Sequence, residues 1–162
     1  MGAGIILVAL HDNKLHFLLG KEHSNKWNDF GGGANQSETF LQTALREFNE
    51  ETNGFFGSPF LFNKYAKNNH IMGITLDSDT YKTFLIKYDY DENLPVYFNN
   101  NYKFMMKHFP EGQLKNGMYE IKEMKWFTLD ELKKSMAIIR PFYREIIKKI
   151  INSKVEILKS YK

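Results

Sequence analysis

The chain has 162 residues, 43% of them apolar and 25% charged, the proportions of an ordinary soluble protein, and its length predicts one domain over 1–162 with a sizeable core. It contains no cysteine, which excludes disulfides, zinc–thiolate centres and cysteine nucleophiles. No apolar run reaches the length of a membrane span, and Ile5–Leu10 is too short, and lacks the basic flank, for a signal-peptide core, so a cytoplasmic setting is expected. The net charge is only +3, yet residues 133–162 carry nine basic and two acidic groups. Such asymmetry marks either a polyanion-binding segment or the lysine-rich outer face of a helix.

Gly4–Leu10 reads as a strand, His11–Lys14 as a hairpin turn, and Leu15–Leu19 as the return strand with His16 facing out. Gly20–Lys26 is a polar loop, in which His23 is either a substrate contact or simply solvated. Trp27–Gly33 then leads through glycines, which permit tight turns and close approach to a ligand, into the most informative stretch, Gly32–Gly54. There Phe40, Leu41, Ala44, Leu45 and Phe48 recur at three- and four-residue steps and form one helical face. Thr39 and Gln42 have the spacing of a capping box. Glu47, Glu50 and Glu51 lie about one turn apart beside the apolar stripe, a crowding of like charge that weakens a bare helix by roughly 0.2–0.5 kcal/mol per pair. Arg46 offsets part of it by pairing with Glu50. A merely solvated acidic helix would interleave lysines with these glutamates, but between Lys26 and Lys64 the one basic residue is Arg46. The cluster suits hard divalent cations, which prefer carboxylate oxygens.

This stretch resembles the Nudix signature. Gly32, Glu38, Arg46, Glu47, Phe48, Glu50 and Glu51 match its specified positions in order. The late glycine is replaced by Asn53, a residue suited to the left-handed conformation after a helix, and the last bulky position by Gly54. Trp27 and Phe30 also fit the family, with Phe30 where a proline is usual. The resemblance implies an α/β fold, an α/β/α sandwich around a mixed sheet. It also implies an Mg2+- or Mn2+-dependent hydrolase with Glu38, Glu47, Glu50, Glu51 and Gly32 around the metals. Arg46 would fix a carboxylate rotamer, and Trp27 and Phe30 would contact substrate.

Beyond the helix, Phe55–Tyr65 is an apolar segment in which a strand is expected near Phe60. Lys67–Asn69 reads as a turn, and His70–Leu76 and Thr80–Tyr88 as strands paired across Asp77–Asp79. Asp89–Glu92 is an acidic loop, Asn99–His108 a short helix, Pro110–Gly112 a turn and Leu114–Gly117 a loop. Within Met118–Thr128, Glu120–Phe127 reads as a strand with alternating faces, and Thr128 with Glu131 forms a second capping box opening a helix. Ile138–Pro141 begins a long basic helix over about 138–160. Phe142, Ile146, Ile147, Ile150 and Ile151 form its buried stripe, and Arg144, Lys148 and Lys149 face out.

The run Glu120–Trp126 is similar to a strand of mRNA-decapping Nudix enzymes, whose first glutamate is metal-associated or a general base. By that likeness Glu120 is a candidate to deprotonate the attacking water, with Glu50 of the signature as the other, and Lys148 and Lys149 of the basic helix would contact substrate along an RNA backbone. The alternative for Glu120 is a charged strand edge. Proline and tyrosine are absent where ADP-ribose and dinucleoside-polyphosphate enzymes tend to carry them. The substrate expected is therefore a nucleoside diphosphate derivative, with capped RNA favoured. A nucleoside triphosphate or dinucleotide housecleaning enzyme is the alternative. A catalytically silent nucleotide- or RNA-binding module is a second alternative, one that would have lost a metal carboxylate. Oligomeric state is not legible.

Overall fold

Two left-handed residues start the fold. Asp12 (φ 47°) and Asn13 (φ 57°) make the tight turn that a right-twisted hairpin needs. They join β1 (Gly2–His11) to β2 (Lys14–Glu22), in register from Leu7 opposite Leu18 to His11 opposite Lys14. The structure, a computed structural model, describes residues 1–109 and 119–162. The expected turn at Pro110–Gly112, the loop at Leu114–Gly117 and Met118 lie outside those residues.

β1 is buried from Gly2 to Ala9, the unbroken apolar reading of a strand covered on both faces. Its first half pairs antiparallel with β4 (Phe30–Gly33) and its second half with β2. Along its other edge runs β6 (Tyr81–Lys87), parallel to it. β5 (His70–Thr75) pairs antiparallel with β6, as the sequence predicts. β2 also takes β3 (Trp27–Asn28) and β7 (Ile121–Thr128), both antiparallel. The result is a seven-stranded mixed sheet.

Alternation along β1 sends Ala3, Ile5, Leu7 and Ala9 to one face and Ile6 and Val8 to the other. The first face is covered by α1 (Phe40–Glu51), α2 (Pro59–Asn68) and α3 (Leu94–His108), through Ala44, Leu45, Phe48, Phe62, Ala66, Leu94 and Phe98. The second is covered by α4 (Leu129–Lys134), α5 (Arg144–Asn152) and α6 (Lys154–Lys159), through Leu132, Ile146, Ile147, Ile150 and Ile157. Each fully buried aliphatic or aromatic side chain contributes about 1.5–3 kcal/mol of transfer free energy. The α/β class, with helices on both sides of a mixed sheet, is the one expected. Among the described residues no helix is long and apolar enough to cross a membrane.

Three elements differ from expectation. The strand near Phe60 is instead helix α2. Ser58 accepts from Leu61 N and Pro59 occupies the first turn, a start signal that overrides the local β propensity. Phe62 and Ala66 point inward while Phe60 and Leu61 stay exposed. Helix α3 begins at Leu94, ahead of Asn99, again with proline in its first turn. The single basic helix over 138–160 is broken. Pro141–Tyr143 form a 3-10 turn, and α5 and α6 are separated at Ser153. Tyr143 takes the buried place expected of Phe142, which is half-exposed.

Candidate active site

Helix α1 starts as the sequence predicts. The Thr39 hydroxyl accepts from Gln42 N, and Thr39 N donates to Gln42 Oε1 at 2.9 Å. That cap fixes the preceding Glu38, whose Oε2 accepts from Asn35 N (2.9 Å) and from the Thr43 hydroxyl (3.1 Å). At the other end Asn53 stands in the left-handed region (φ 53°). Its Oδ1 accepts from Tyr119 N at 3.0 Å, tying the helix exit to the chain just before β7.

Arg46 is the hub of the acidic cluster. Its Nε and Nη2 donate to the two oxygens of Glu38 (2.8 and 3.0 Å), and its Nη1 donates to Glu47 (2.8 Å) and Glu50 (3.1 Å). Nη2 also reaches the Gly33 carbonyl at 2.8 Å. The expected Arg46–Glu50 pair is present, and Glu38 and Glu47 share the same guanidinium. Arg46 holds the Glu38 carboxyl down at about 2, and the hydrogen bond to Glu38 in turn raises the Arg46 pKa. Glu47 is pushed up by burial, which outweighs its bond to Arg46. The Glu47 carboxylate lies against the Cα of Gly32, where a Cβ would come within 2.6 Å of it.

Glu51 is the buried member. Its Oε2 accepts from Gly31 N at 2.8 Å. Burial drives its pKa well up, and the charges of Asp29, Glu47 and Glu120 push the same way. Glu120, just ahead of β7, therefore lies within electrostatic reach of both Glu47 and Glu51. Glu51, Glu120, Gly31 and Gly32 line one side of an open cleft of about 350 Å3. Glu22, His23, Ser24 and Arg140 complete its lining.

Among the described residues no three acidic or imidazole side chains already stand in ligating geometry. Glu38, Glu47 and Glu50 are instead gathered onto Arg46. The donor set nevertheless fits a hard divalent cation. Every group offers oxygen, and Glu51 is a buried carboxylate whose described partner is one backbone N–H, a charge that is costly to bury unless a cation accompanies it.

Other expected site residues fall elsewhere. Trp27 is buried, packed edge-on against Phe127 with ring centroids 5.0 Å apart. Phe30 is fully buried, edge-on to Phe48 at 5.4 Å. Neither ring offers a surface to a substrate, because each is packed into the hydrophobic core, Phe30 against α1 and Trp27 against β7. Lys148 and Lys149 ride on α5, on the sheet face opposite α1. Lys149 donates to Thr75 O (2.6 Å) and Asp77 (2.7 Å) and pairs with Glu145 (3.1 Å), so its charge is already matched. His23, in contrast, does line the cleft, with its Nε2 3.0 Å from Tyr119 O.

Two clusters were not legible beforehand. Arg140 and Glu22, which pair at 2.8 Å, are far apart in sequence. Asp29 is buried and accepts from Tyr81 OH (2.9 Å) and the Thr83 hydroxyl (2.8 Å), with Tyr143 OH 3.0 Å from that hydroxyl. Burial lifts Asp29 to about 7. A lone loop aspartate beside a tryptophan gives no sequence signal of burial.

A family model described as the NUDIX domain matches residues 2–150. Among solved structures, an Ap4A hydrolase from C. elegans, in a binary complex, is 18% identical, with a TM-score of 0.53 over 93% of this chain and 95% of that one. A bifunctional NMN adenylyltransferase/ADP ribose pyrophosphatase from Francisella tularensis, complexed with AMP and a Mn ion, is 17% identical, with a TM-score of 0.60. That match covers 94% of this chain and 41% of that one. At such identities the likeness is one of fold. The resemblance to decapping enzymes draws no support from these neighbours. No curated protein matches the sequence.

Proposed function

The chain belongs to the Nudix family of pyrophosphohydrolases, and from that premise we propose that it hydrolyses the diphosphate linkage of a small free nucleotide, a dinucleoside polyphosphate or a nucleoside triphosphate. The observation that carries this is the convergence of Glu51, Glu120 and Gly32 on one cleft, with the Glu47 carboxylate against Gly32 and held by Arg46. Its volume suits a single nucleotide. Capped RNA is disfavoured because the basic segment is broken, α5 packs on the sheet face opposite α1, and Lys149 is paired with Asp77 and Glu145. The fold neighbours are named for Ap4A and for ADP-ribose, both free nucleotides. The absence of cysteine fits action in the cytoplasm.

Glu47, Glu50 and Glu51, with Glu38 and the Gly32 carbonyl, are the groups that would hold Mg2+ or Mn2+. When bound, such cations neutralise the diphosphate and make its phosphorus accessible to a nucleophile. Arg46 keeps Glu38 ionised and sets the rotamers of Glu47 and Glu50. Glu120, on the exposed side of the cleft, accepts the proton from the attacking water, with Glu50 as the other candidate base. Gly31 N holds Glu51 in place. The products are a nucleoside monophosphate and the phosphorylated remainder.

The test is a turnover screen of dinucleoside polyphosphates, nucleoside triphosphates, ADP-ribose and capped RNA in Mg2+ or Mn2+, with Glu51→Gln alongside. Release of a nucleoside monophosphate from a free nucleotide, lost in Glu51→Gln, is expected. Turnover of capped RNA alone, or of nothing, overturns the proposal.

A further inference from the structure

One wall of the cleft is not used by the chemistry above. Glu22 ends β2 and Arg140 precedes the 3-10 turn, with Asn28 of β3 buried behind them. The backbone of Arg140 is clamped, since its N donates to Trp27 O at 3.0 Å while Trp27 N donates to Ile138 O at 2.9 Å. Its side chain lies over the Phe142 ring, 5.2 Å from the centroid, and Nη1 donates to Glu22 Oε1 at 2.8 Å. Among the described residues Nε and Nη2 have no acceptor, and the side chain is 46% exposed. Glu22 Oε2 takes the Ser24 hydroxyl at 3.2 Å. Asn28 reaches Glu22 with its Nδ2 at 3.5 Å, and its Oδ1 is the one buried side-chain oxygen or nitrogen among the described residues that lacks a partner.

This wall sets a cation beside a carboxylate, and Asn28 stands buried behind the carboxylate. A second phosphate group offers acceptors only and would be repelled by Glu22. The occupant that fits accepts from Nε and Nη2 of Arg140 and donates N–H toward the Glu22 carboxylate beside it. A nucleobase edge does both. Guanine sets two acceptors, O6 and N7, side by side, the pattern an arginine fork matches, and its N1–H and N2–H2 donors follow on the next edge, toward the Glu22 carboxylate. We infer that Arg140 and Glu22, backed by Asn28, form a base-reading wall that selects guanine nucleotides. This rests on the nucleotide-hydrolase reading of the same cleft and adds the base to it.

Equilibrium binding separates the two ideas, because it needs no turnover. GMP, AMP, CMP, UMP and the base-free ribose 5-phosphate are titrated by calorimetry into the whole chain with Mn2+ present. GMP should bind at least about tenfold tighter than the other nucleotides and the ribose phosphate, the discrimination expected of a bidentate arginine contact. Arg140→Ala should bring GMP down to the level of ribose 5-phosphate and leave ribose 5-phosphate unchanged. Arg140→Lys, which retains the charge beside Glu22 and guards against a folding defect, should lose the preference as well because an ammonium lacks the fork. Equal affinity across the bases, no nucleotide binding, or an equal loss of GMP and ribose 5-phosphate in Arg140→Ala would overturn the inference. Guanine preference without hydrolysis would sink the hydrolase proposal alone; hydrolysis without base preference would sink this one alone.

Discussion

Arg46 donates to three carboxylates and the Gly33 carbonyl, so deleting it leaves Glu38, Glu47 and Glu50 facing one another. Arg46→Ala should lower kcat/KM about 100-fold, the loss typical of misplacing reacting groups by an ångström. Arg46→Lys should recover little, since an ammonium cannot bridge the three acids at once; steady-state kinetics checks both. Asp29 gives a prediction in pH. Its carboxyl is lifted from 3.8 to about 7 by burial, so the folded protein holds a proton that the unfolded chain has released. Its contribution is therefore fully present below pH 4 and declines as pH rises toward 7, by up to about 4 kcal/mol for a shift of that size. Glu51, also raised by burial, acts in the same sense. The metal-free protein should melt at lower temperature at pH 8 than at pH 5, and Asp29→Asn should flatten that slope. An unchanged slope in the variant would assign the pH dependence elsewhere.

Helix α1 joins local signals to the site. Its capping box, apolar stripe and left-handed exit at Asn53 were all readable, because each depends on residues only a few positions apart. Thr39→Ala should cost about 1 kcal/mol, the usual value of an N-cap. It should also loosen Glu38, so the fall in melting temperature should come with a weaker response to Mn2+. Gly32→Ala isolates the second effect. The new Cβ would meet the Glu47 carboxylate at 2.6 Å, so Mn2+ activation should drop more than stability does. Helix α2 departs from the expected strand because Phe60 and Leu61 have strand character, whereas the Ser58–Pro59 helix start is the stronger local signal. The broken C-terminal helix was misread because its lysines and isoleucines keep helical period across Ser153, and periodicity does not register a one-residue interruption.

At the scale of the whole molecule, what the sequence withheld was distance. Alternation and turns placed the β1–β2 and β5–β6 hairpins, but nothing local tells β1 to run parallel to β6, or Arg140 to lie against Glu22. For the same reason the surplus of lysine after residue 133 looked like an RNA surface. In the fold α5 packs on the sheet face away from α1, and Lys149 fastens that helix to the β5–β6 turn through Thr75 O and Asp77. A cation held this way has few counterions to release. Binding to single-stranded RNA should accordingly be weak, and the logarithm of its affinity should fall with the logarithm of salt at a slope well short of about −0.7 per phosphate contacted along a whole helix. Lys149→Ala should lower the melting temperature, by cutting α5 loose from the turn, while leaving that slope unchanged. If instead the slope is steep and Lys149→Ala flattens it by the value of one contact, Lys149 binds phosphate in solution and the helix has a partner the fold alone does not require.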